Sequence, residues 1–310
     1  MRPNLRALTG LPLTVAAVAL ALAGCDALTE TAVADRHGTD APGVHRQYGT
    51  PVAVGHGHAR TYVVIDQRRG GAPIEVGVAL DEAALEGLPA PMQMPMPADG
   101  DPHAHGNSHV YDLALPVHNP TPYRFVELDW NPGGHEPPGV YDVPHFDFHF
   151  YTVPPAVRNA IDPVALGQAA FLAASANLPP EAERPEHFMA LAAPGQPIVA
   201  VPRMGTHWVD LRTPELQGML GNPAGYRPFT TTFLHGSWDG AFIFDEPMVT
   251  RAFILGRKTA TTPAQRDSVM PLPLPAQVRT PGYYPAAYHV TYDAQAKEYR
   301  IALTQLTRID

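Results

Sequence analysis

Apolar and polar residues alternate along several short stretches of the chain, a pattern typical of half-buried β-strands. Residues 60–65 and 74–80 form two such stretches on either side of an Arg69-Gly70-Gly71 turn, which predicts a hairpin. Further strands are predicted at residues 226–234, 241–244, 249–255, 288–292 and 299–303. The chain therefore consists mainly of antiparallel strands.

Helices are predicted at a few places only. Residues 81–88 indicate a short helix, and Asp162-Pro163 provides an N-cap and a first-turn proline for a helix that reaches about Ala176. Thr213-Pro214 repeats the same start signal. Few helices among many strands predict an α+β fold dominated by antiparallel sheet.

Two segments resemble each other weakly. In the first, Phe125 leads through Trp130 and a Gly-rich turn to Pro144 and a strand at 145–151. In the second, Phe229 leads through Trp238 and Gly240 to Pro247 and a strand at 248–255. The similarity predicts two related β-rich halves, about 49–160 and 200–310, with a helical connection at about 161–199. Two unrelated hairpins are the alternative.

The N-terminal segment has the order of a signal peptide. Arg2 and Arg6 precede an apolar run at 11–22, which is too short to span a bilayer as a helix. The sequence Leu22-Ala23-Gly24-Cys25 resembles the lipobox of bacterial lipoproteins. We therefore expect a signal peptide at 1–24, lipid on Cys25, a flexible tether at 25–48 and a globular region at 49–310.

These features predict an exported protein whose lipid anchors it to a cell-envelope membrane, with the globular part outside the cytoplasm. The alternative is a secreted protein with a chance cysteine. Cys25 is the only cysteine of the chain, so a disulfide within the chain is excluded.

The charge of the chain argues against nucleic acid as a partner. The full sequence has 21 basic and 30 acidic residues, and loss of residues 1–24 would leave 19 against 30. A strongly acidic protein repels phosphate backbones.

The richest chemical pattern is Pro144-His145-Phe146-Asp147-Phe148-His149-Phe150-Tyr151. Successive side chains of a strand face opposite ways, so His145, Asp147 and His149 share one face and the three phenylalanines share the other. Imidazole and carboxylate together suit zinc, iron, manganese or copper. The alternative is a solvated polar face of an ordinary antiparallel sheet.

The spacing restricts which of these residues share an ion. His145 and His149 lie roughly 13 Å apart on a regular strand, too far for one metal unless the strand bulges. The expected chelating pair is therefore Asp147 with His149 or Asp147 with His145, and the third residue would orient a ligand.

Other residues could complete the site. His207 lies beside Gly205-Thr206 and Trp208, and Glu246 precedes Pro247. The prolines after Glu136 exclude a helical zinc-protease motif at His135-Glu136, so this segment is expected to be a loop. His135 remains a further candidate ligand from that loop. His235, before Gly236, is predicted to be a turn residue. The candidate metal ligands are His145, Asp147, His149, His207, Glu246 and His135.

A second cluster lies in a Pro- and Gly-rich loop at 92–109, and its thioethers and imidazoles would suit copper. A solvated loop without a metal is the alternative. Its members are Met92, Met94, Met96, His103, His105 and His109.

The chain resembles a family of uncharacterised bacterial proteins catalogued as a domain of unknown function. The resemblance covers roughly residues 50–260 and is most specific at residues 145–149, with further matches at Gly134-His135 and Glu246-Pro247-Met248. It implies a bent-sheet α+β fold, oligomerisation and no assigned activity. The Met/His loop does not belong to the family pattern.

The sequence lacks the signatures of nucleotide-binding loops, serine hydrolases, c-type haem attachment and EF-hands. We therefore expect an envelope lipoprotein that binds a metal or small ligand or has a structural role. A metal-dependent hydrolase or oxidoreductase that uses the same residues is the alternative, and no catalytic residue is assigned.

Overall fold

The computed structural model describes residues 42–91, 108–192 and 195–310. The predicted signal peptide, Cys25 and residues 92–107 of the Met/His loop lie outside these residues. Among the described helices, none combines the length and apolar character that crossing a membrane requires.

The described residues form sixteen strands and five short α-helices. The strands are β1 (Val44–Tyr48), β2 (Val52–Val54), β3 (Gly57–Asp66), β4 (Ala72–Asp81), β5 (His109–Ala114), β6 (Phe125–Asn131), β7 (His145–Tyr151), β8 (Phe188–Ala190), β9 (Thr206–Asp210), β10 (Thr231–Trp238), β11 (Ala241–Thr250), β12 (Asp267–Pro271), β13 (Gly282–Tyr284), β14 (Ala287–Asp293), β15 (Glu298–Thr304) and β16 (Thr307–Ile309). The helices are α1 (Pro155–Asn159), α2 (Pro163–Leu166), α3 (Gln168–Ala176), α4 (Arg251–Thr259) and α5 (Pro263–Arg266).

Strands from both ends of the described chain build the first sheet. Its order is β1-β3-β4-β15-β14-β12, and β2 pairs with the start of β3. All of its pairings are antiparallel. The pairing of β4 with β15 joins the N-terminal and C-terminal strands in one sheet.

The second sheet has the order β5-β6-β7-β11-β10-β9-β8 and is also antiparallel throughout. A separate two-stranded ribbon pairs β13 with β16. The expected α+β fold with predominantly antiparallel sheet is confirmed.

The main core lies between the two sheets. Val63, Val76 and Ile301 of the first sheet belong to the same buried cluster as Val126 and Phe148 of the second. Burial of these apolar faces is the main stabilising contribution, because it removes both sheets' apolar sides from water. The second sheet therefore has a packed face and a second, outer face, and the outer face carries the candidate site.

A tight turn and a β-bulge together fix the register of β10 and β11. Asp239 and Gly240 have φ angles of 45° and 80°, the left-handed conformation of a two-residue hairpin loop. An irregularity between Gly236 and Ser237 then shifts the register by one residue, so that Glu246 lies opposite Leu234 and Phe244 opposite Gly236.

Several predicted elements differ from the structure. The predicted strand at 249–255 is wrong, because the Thr250 hydroxyl accepts a 3.2 Å hydrogen bond from the Phe253 amide and starts α4. Gly167, with φ of 81°, divides the predicted helix at 163–176 into α2 and α3. The start signal at Thr213 yields only a 3-10 turn, Pro214–Leu216, and another 3-10 turn, Glu82–Leu85, replaces the helix predicted at 81–88.

The regular structure also begins earlier than predicted. Residues 44–48, assigned to the tether, form β1, because they pair in register with β3 from Val44 opposite Asp66 to Tyr48 opposite Tyr62.

Both sheets contain strands from the two predicted halves. Pro144 precedes β7, whereas Pro247 lies inside β11. The first sheet mixes strands from both predicted halves, because long-range pairing of β4 with β15 outweighs sequence order.

Candidate metal centre

The two faces of β7 differ as the alternation predicts. Phe146, Phe148 and Phe150 point into the main core, and the three polar side chains lie on the outer face of the sheet. That face is not solvated, because His145, Asp147 and His149 are at most 3% exposed. The alternative of a wet polar face is therefore excluded for this strand.

Neighbouring strands add further polar groups beside β7. On β6, Glu127 pairs with His149, Asp129 with Asp147, and Asn131 with His145. Glu246 of β11 and His207 of β9 lie on the same face, and His135 reaches it from the β6–β7 loop. We call these nine residues the polar band: Glu127, Asp129, Asn131, His135, His145, Asp147, His149, His207 and Glu246.

Apolar clusters flank the polar band on this face. One includes Phe125, Tyr151, Phe171 and Phe244, and the other includes Tyr141 and Met248. The polar band is therefore enclosed by apolar side chains, an environment that strengthens electrostatic interactions.

Three residues at one end of the band form the first triad: His135, His145 and Asp147. Nε2 of His145 lies 3.1 Å from Oδ1 of Asp147, and Nε2 of His135 lies 3.3 Å from Oδ2. One donor atom from each of the three residues lies within 4.8 Å of the others, close enough to hold one ion.

The second triad consists of His149, His207 and Glu246. Nε2 of His149 lies 3.4 Å from Oε1 of Glu246, and Nε2 of His207 lies 3.7 Å from Oε2. Asp129 lies on the other side of His149, with Oδ2 3.6 Å from Nδ1. Glu127, Asp129 and His149 form a third group of the same compactness, which shares His149 with the second triad.

The two histidines of the first triad both turn Nε2 toward the carboxylate of Asp147. Nδ1 of His145 lies 2.6 Å from the carbonyl oxygen of Val143, and Nδ1 of His135 lies 2.7 Å from that of Glu136. Because a carbonyl only accepts, these Nδ1 atoms carry hydrogens and the Nε2 atoms face Asp147. This is the arrangement of metal-ligating histidines, in which a second oxygen fixes the ring.

Several buried oxygen and nitrogen atoms of the polar band make no hydrogen bond among the described residues. They are Oδ1 and Oδ2 of Asp129, Oδ1 of Asp147, Oε2 of Glu246 and Nε2 of His145. Such buried polar atoms are rare in folded proteins, because each loses its hydration without compensation. The polar band thus contains these five atoms, although similar atoms also occur elsewhere in the described residues.

The carboxyl groups of the band influence one another strongly. Burial, together with the nearby carboxylates, raises the pKa of Asp129 and of Glu246 well above the ordinary values. Burial alone would raise the pKa of Asp147 too, but His145 and His135 hold it well below its usual range.

One arginine on α1 partly balances this charge. Arg158 is buried, donates to Glu127, and reaches Asp112 at 2.7 Å. Burial nevertheless raises the pKa of Glu127 to about 7 against the opposing effect of Arg158. Arg158 therefore partly neutralises the carboxyl groups at one end of the polar band only.

The ring of Phe244 positions the second triad. Its centroid lies 4.9 Å from that of His149 and 5.3 Å from that of His207. The ring lies over Gly236, where a Cβ atom would overlap it. Gly236 thus leaves the space that lets Phe244 support both imidazoles.

All six predicted ligands lie in the polar band, but the structure divides them into two triads. Asp147 joins His145 and His135, whereas His149 joins His207 and Glu246. Of the two predicted chelating pairs, the structure brings His145 and Asp147 together.

Sequence reasoning missed Glu127, Asp129 and Arg158. The first two could have been found, because Phe125-Val126-Glu127-Leu128-Asp129-Trp130 alternates as β7 does. Arg158 carries no local signal, since its role depends on how α1 packs beside β6.

The prediction that His235 lies in a turn is wrong. This residue is buried within β10. Its Nδ1 is 2.6 Å from Oδ1 of Asp245, and its ring contacts Phe188 and Phe233. Of the Met/His loop, His109 belongs to β5, where its Nε2 lies 3.0 Å from the Ala90 carbonyl oxygen.

Comparison with known proteins gives one finding. Residues 69–130 match the family described as "TTHB210-like: Hypothetical protein TTHB210". The matched segment includes Glu127 and Asp129 and ends before β7. No curated protein and no solved structure matches the chain. The expected resemblance to an uncharacterised family is thus supported for this segment.

Proposed function

We propose that this protein binds a divalent transition-metal ion at the second triad, His149, His207 and Glu246. The observation that carries the proposal is the placement of His149 between two carboxylates. Its Nε2 faces Glu246 at 3.4 Å, and its Nδ1 faces Asp129 at 3.6 Å. A metal on Nε2 would leave the Nδ1 hydrogen directed at Asp129, the usual carboxylate–histidine–metal arrangement.

Charge supports a cation over a purely structural role. Asp129 and Glu246 are buried, repel each other, and have oxygens without hydrogen bonds among the described residues. Burial and this repulsion disfavour the charged form of both carboxyl groups in the absence of a cation, which is why their pKa values are raised. A divalent ion between these groups would compensate this charge and use the unsatisfied oxygens.

The donor set restricts the kind of ion. Two imidazoles and one carboxylate suit zinc, iron, manganese or copper, and thiolate is absent from the triad. The first experiment is elemental analysis of the purified full-length chain after dialysis against these metals. We expect bound metal in the wild type, a decrease in His207→Ala and Glu246→Gln, and no change in His118→Ala, which alters an exposed histidine. A metal-free wild type would refute the proposal.

A metal-dependent enzyme is the second candidate function. Three protein ligands leave a coordination position for water or substrate, as in catalytic metal sites. Cobalt substitution separates the two functions. A change in the cobalt visible spectrum on adding azide would indicate an open position and favour catalysis, whereas an unchanged spectrum would favour a closed binding site.

The proposed location follows from the N-terminal sequence. Lipid on Cys25 would hold the metal-binding region outside the cytoplasm, at a cell-envelope membrane. The ion would then come from the envelope compartment.

A further inference from the structure

We infer that the polar band holds a second metal ion, bound by His135, His145 and Asp147. The inference rests on the proposed function, because it extends metal binding from the second triad to the first. The protein would then carry two ions along one strand, with separate ligands.

One ion cannot serve both triads. His145 and His149 are both on β7, and four residues of regular strand span roughly 13 Å. A bulge could shorten this distance, but β7 pairs with β6 in unbroken register from Phe125 opposite Tyr151 to Asn131 opposite His145. Each triad also contains its own carboxylate.

The heavy-atom geometry of the first triad calls for a proton or a metal ion between its nitrogens and its carboxylate. Nδ1 of His145 donates to the Val143 carbonyl at 2.6 Å, so a neutral His145 has a lone pair on Nε2. That lone pair faces Oδ1 of Asp147 at 3.1 Å, and neither atom has another hydrogen-bond partner among the described residues. Two acceptors at this distance repel each other unless a proton or a metal ion lies beside both.

His135 is oriented in the same way, and its contact with Asp147 has the geometry of a hydrogen bond. Its Nδ1 donates to the Glu136 carbonyl at 2.7 Å, and its Nε2 faces Oδ2 of Asp147 at 3.3 Å. Without a metal, one proton has to lie between each Nε2 and the carboxylate, although the two ring centroids are only 4.7 Å apart. A single divalent ion replaces both protons and accepts both Nε2 lone pairs.

Asp147 is held in position for this role. The side-chain amide of Asn131 donates to its Oδ2 at 2.7 Å, and Ser108 donates to the Asn131 amide oxygen. These bonds orient the carboxylate as second-layer contacts orient metal ligands in other proteins. Oδ1 stays available for an ion.

The experiment measures metal stoichiometry with zinc and, independently, with cobalt. The full-length wild type is compared with Asp147→Asn, Glu246→Gln and the double variant, each purified and saturated with the metal alone. We expect two ions per chain in the wild type, one in each single variant and none in the double variant. His118→Ala is the control and should keep two.

The outcomes separate this inference from the proposed function. One ion per chain in the wild type, lost in Glu246→Gln but kept in Asp147→Asn, would overturn the second site and leave the first proposal standing. No ion in the wild type would overturn both. Loss of all metal in Asp147→Asn would show a single shared site and would also refute the inference.

A further variant distinguishes the loss of a ligand from misfolding of the protein. His135 lies on the β6–β7 loop, so His135→Gln removes one ligand without changing a strand residue. We expect this variant to keep the wild-type circular dichroism spectrum and to bind one ion fewer, or to bind the second zinc at least tenfold more weakly. Two ions at unchanged affinity would contradict the inference.

Discussion

Nε2 of His149 lies 3.4 Å from Oε1 of Glu246, although the two residues come from strands that are distant in sequence. The contact exists because β7 and β11 are neighbours in the second sheet and pair antiparallel around it. Both side chains are buried, so their interaction is not screened by solvent. Glu246 should therefore affect both metal binding and the stability of the metal-free protein.

Glu246→Gln should change stability in opposite directions with and without metal. Without metal, burial and the neighbouring Asp147 and Asp129 raise the pKa of Glu246 and disfavour its charged form, so a neutral amide at this position should raise the free energy of unfolding. With metal, an ion in the second triad should add about 2.7 kcal/mol to the wild type at a metal concentration 100 times Kd, and the variant should lack this contribution. Urea denaturation with EDTA or with zinc tests both. Equal destabilisation under both conditions would contradict the charge argument.

Gly236→Ala should damage the second triad through Phe244. The new methyl group would overlap the Phe244 ring, which supports His149 and His207. We expect a loss of about 1 to 3 kcal/mol in stability, typical of overpacking, and weaker metal binding. Gly256→Ala is the matched control, because this glycine lies in α4 with nothing within 4 Å of the added atom. It should be neutral or stabilising. Equal effects would argue against the role of Phe244.

Arg158→Met should destabilise the protein strongly. It leaves Glu127 buried without its guanidinium partner, and breaking a buried pair in this way costs about 3 to 5 kcal/mol. The surface pair of Arg212 and Asp210 provides the control, since Arg212 is 59% exposed and Arg212→Met should change the stability far less than Arg158→Met. Adding Glu127→Gln to Arg158→Met should restore part of the loss in urea denaturation. No recovery would mean that Arg158 acts through packing alone.

The pair of Glu75 and His289 on the first sheet should make stability depend on pH. Burial would raise the pKa of Glu75, but His289 and the Tyr62 hydroxyl lower it to about 2. Burial would lower the pKa of His289, but Glu75, with a smaller effect from Asp267, raises it above its ordinary value. The contribution of Glu75 is present above its ordinary pKa of 4.5 and is lost as pH falls through about 2.

The contribution of His289 has the opposite sign. It is fully present below the ordinary pKa of 6.5 and is lost as pH rises through the raised value in the folded protein. The difference in unfolding free energy between wild type and His289→Gln should therefore be largest between pH 4.5 and 6.5 and should shrink on both sides. Urea denaturation across pH in EDTA measures it. A difference independent of pH would show that the pair is not ionised as described.

Cys25→Ser should release the protein from the membrane if this cysteine carries lipid. In cells that process lipoproteins, wild type should partition into the detergent phase and the variant into the aqueous phase, because an acyl anchor contributes about 0.8 kcal/mol per buried CH₂. Equal partitioning of both proteins would contradict lipidation at Cys25.

The sequence determined the local features of the fold and site. Period-2 alternation in residues 145–151 predicted which side chains share a face, and turn residues predicted the β3–β4 hairpin. These features follow from the geometry of a single strand or turn, so they need no knowledge of neighbours. The choice of all six candidate ligands rested on the same kind of local pattern.

Only the tertiary structure decided how the ligands are grouped. Strand order brings Glu246 and His207 to His149 and leaves Asp147 with His145 and His135, and these pairings depend on long-range contacts that no local pattern encodes. The burial of the polar band and the support from Arg158 depend equally on packing. The sequence by itself determined the chemistry of the side chains and their faces, whereas the fold determined their partners, because hydrogen bonding between distant strands sets which faces meet.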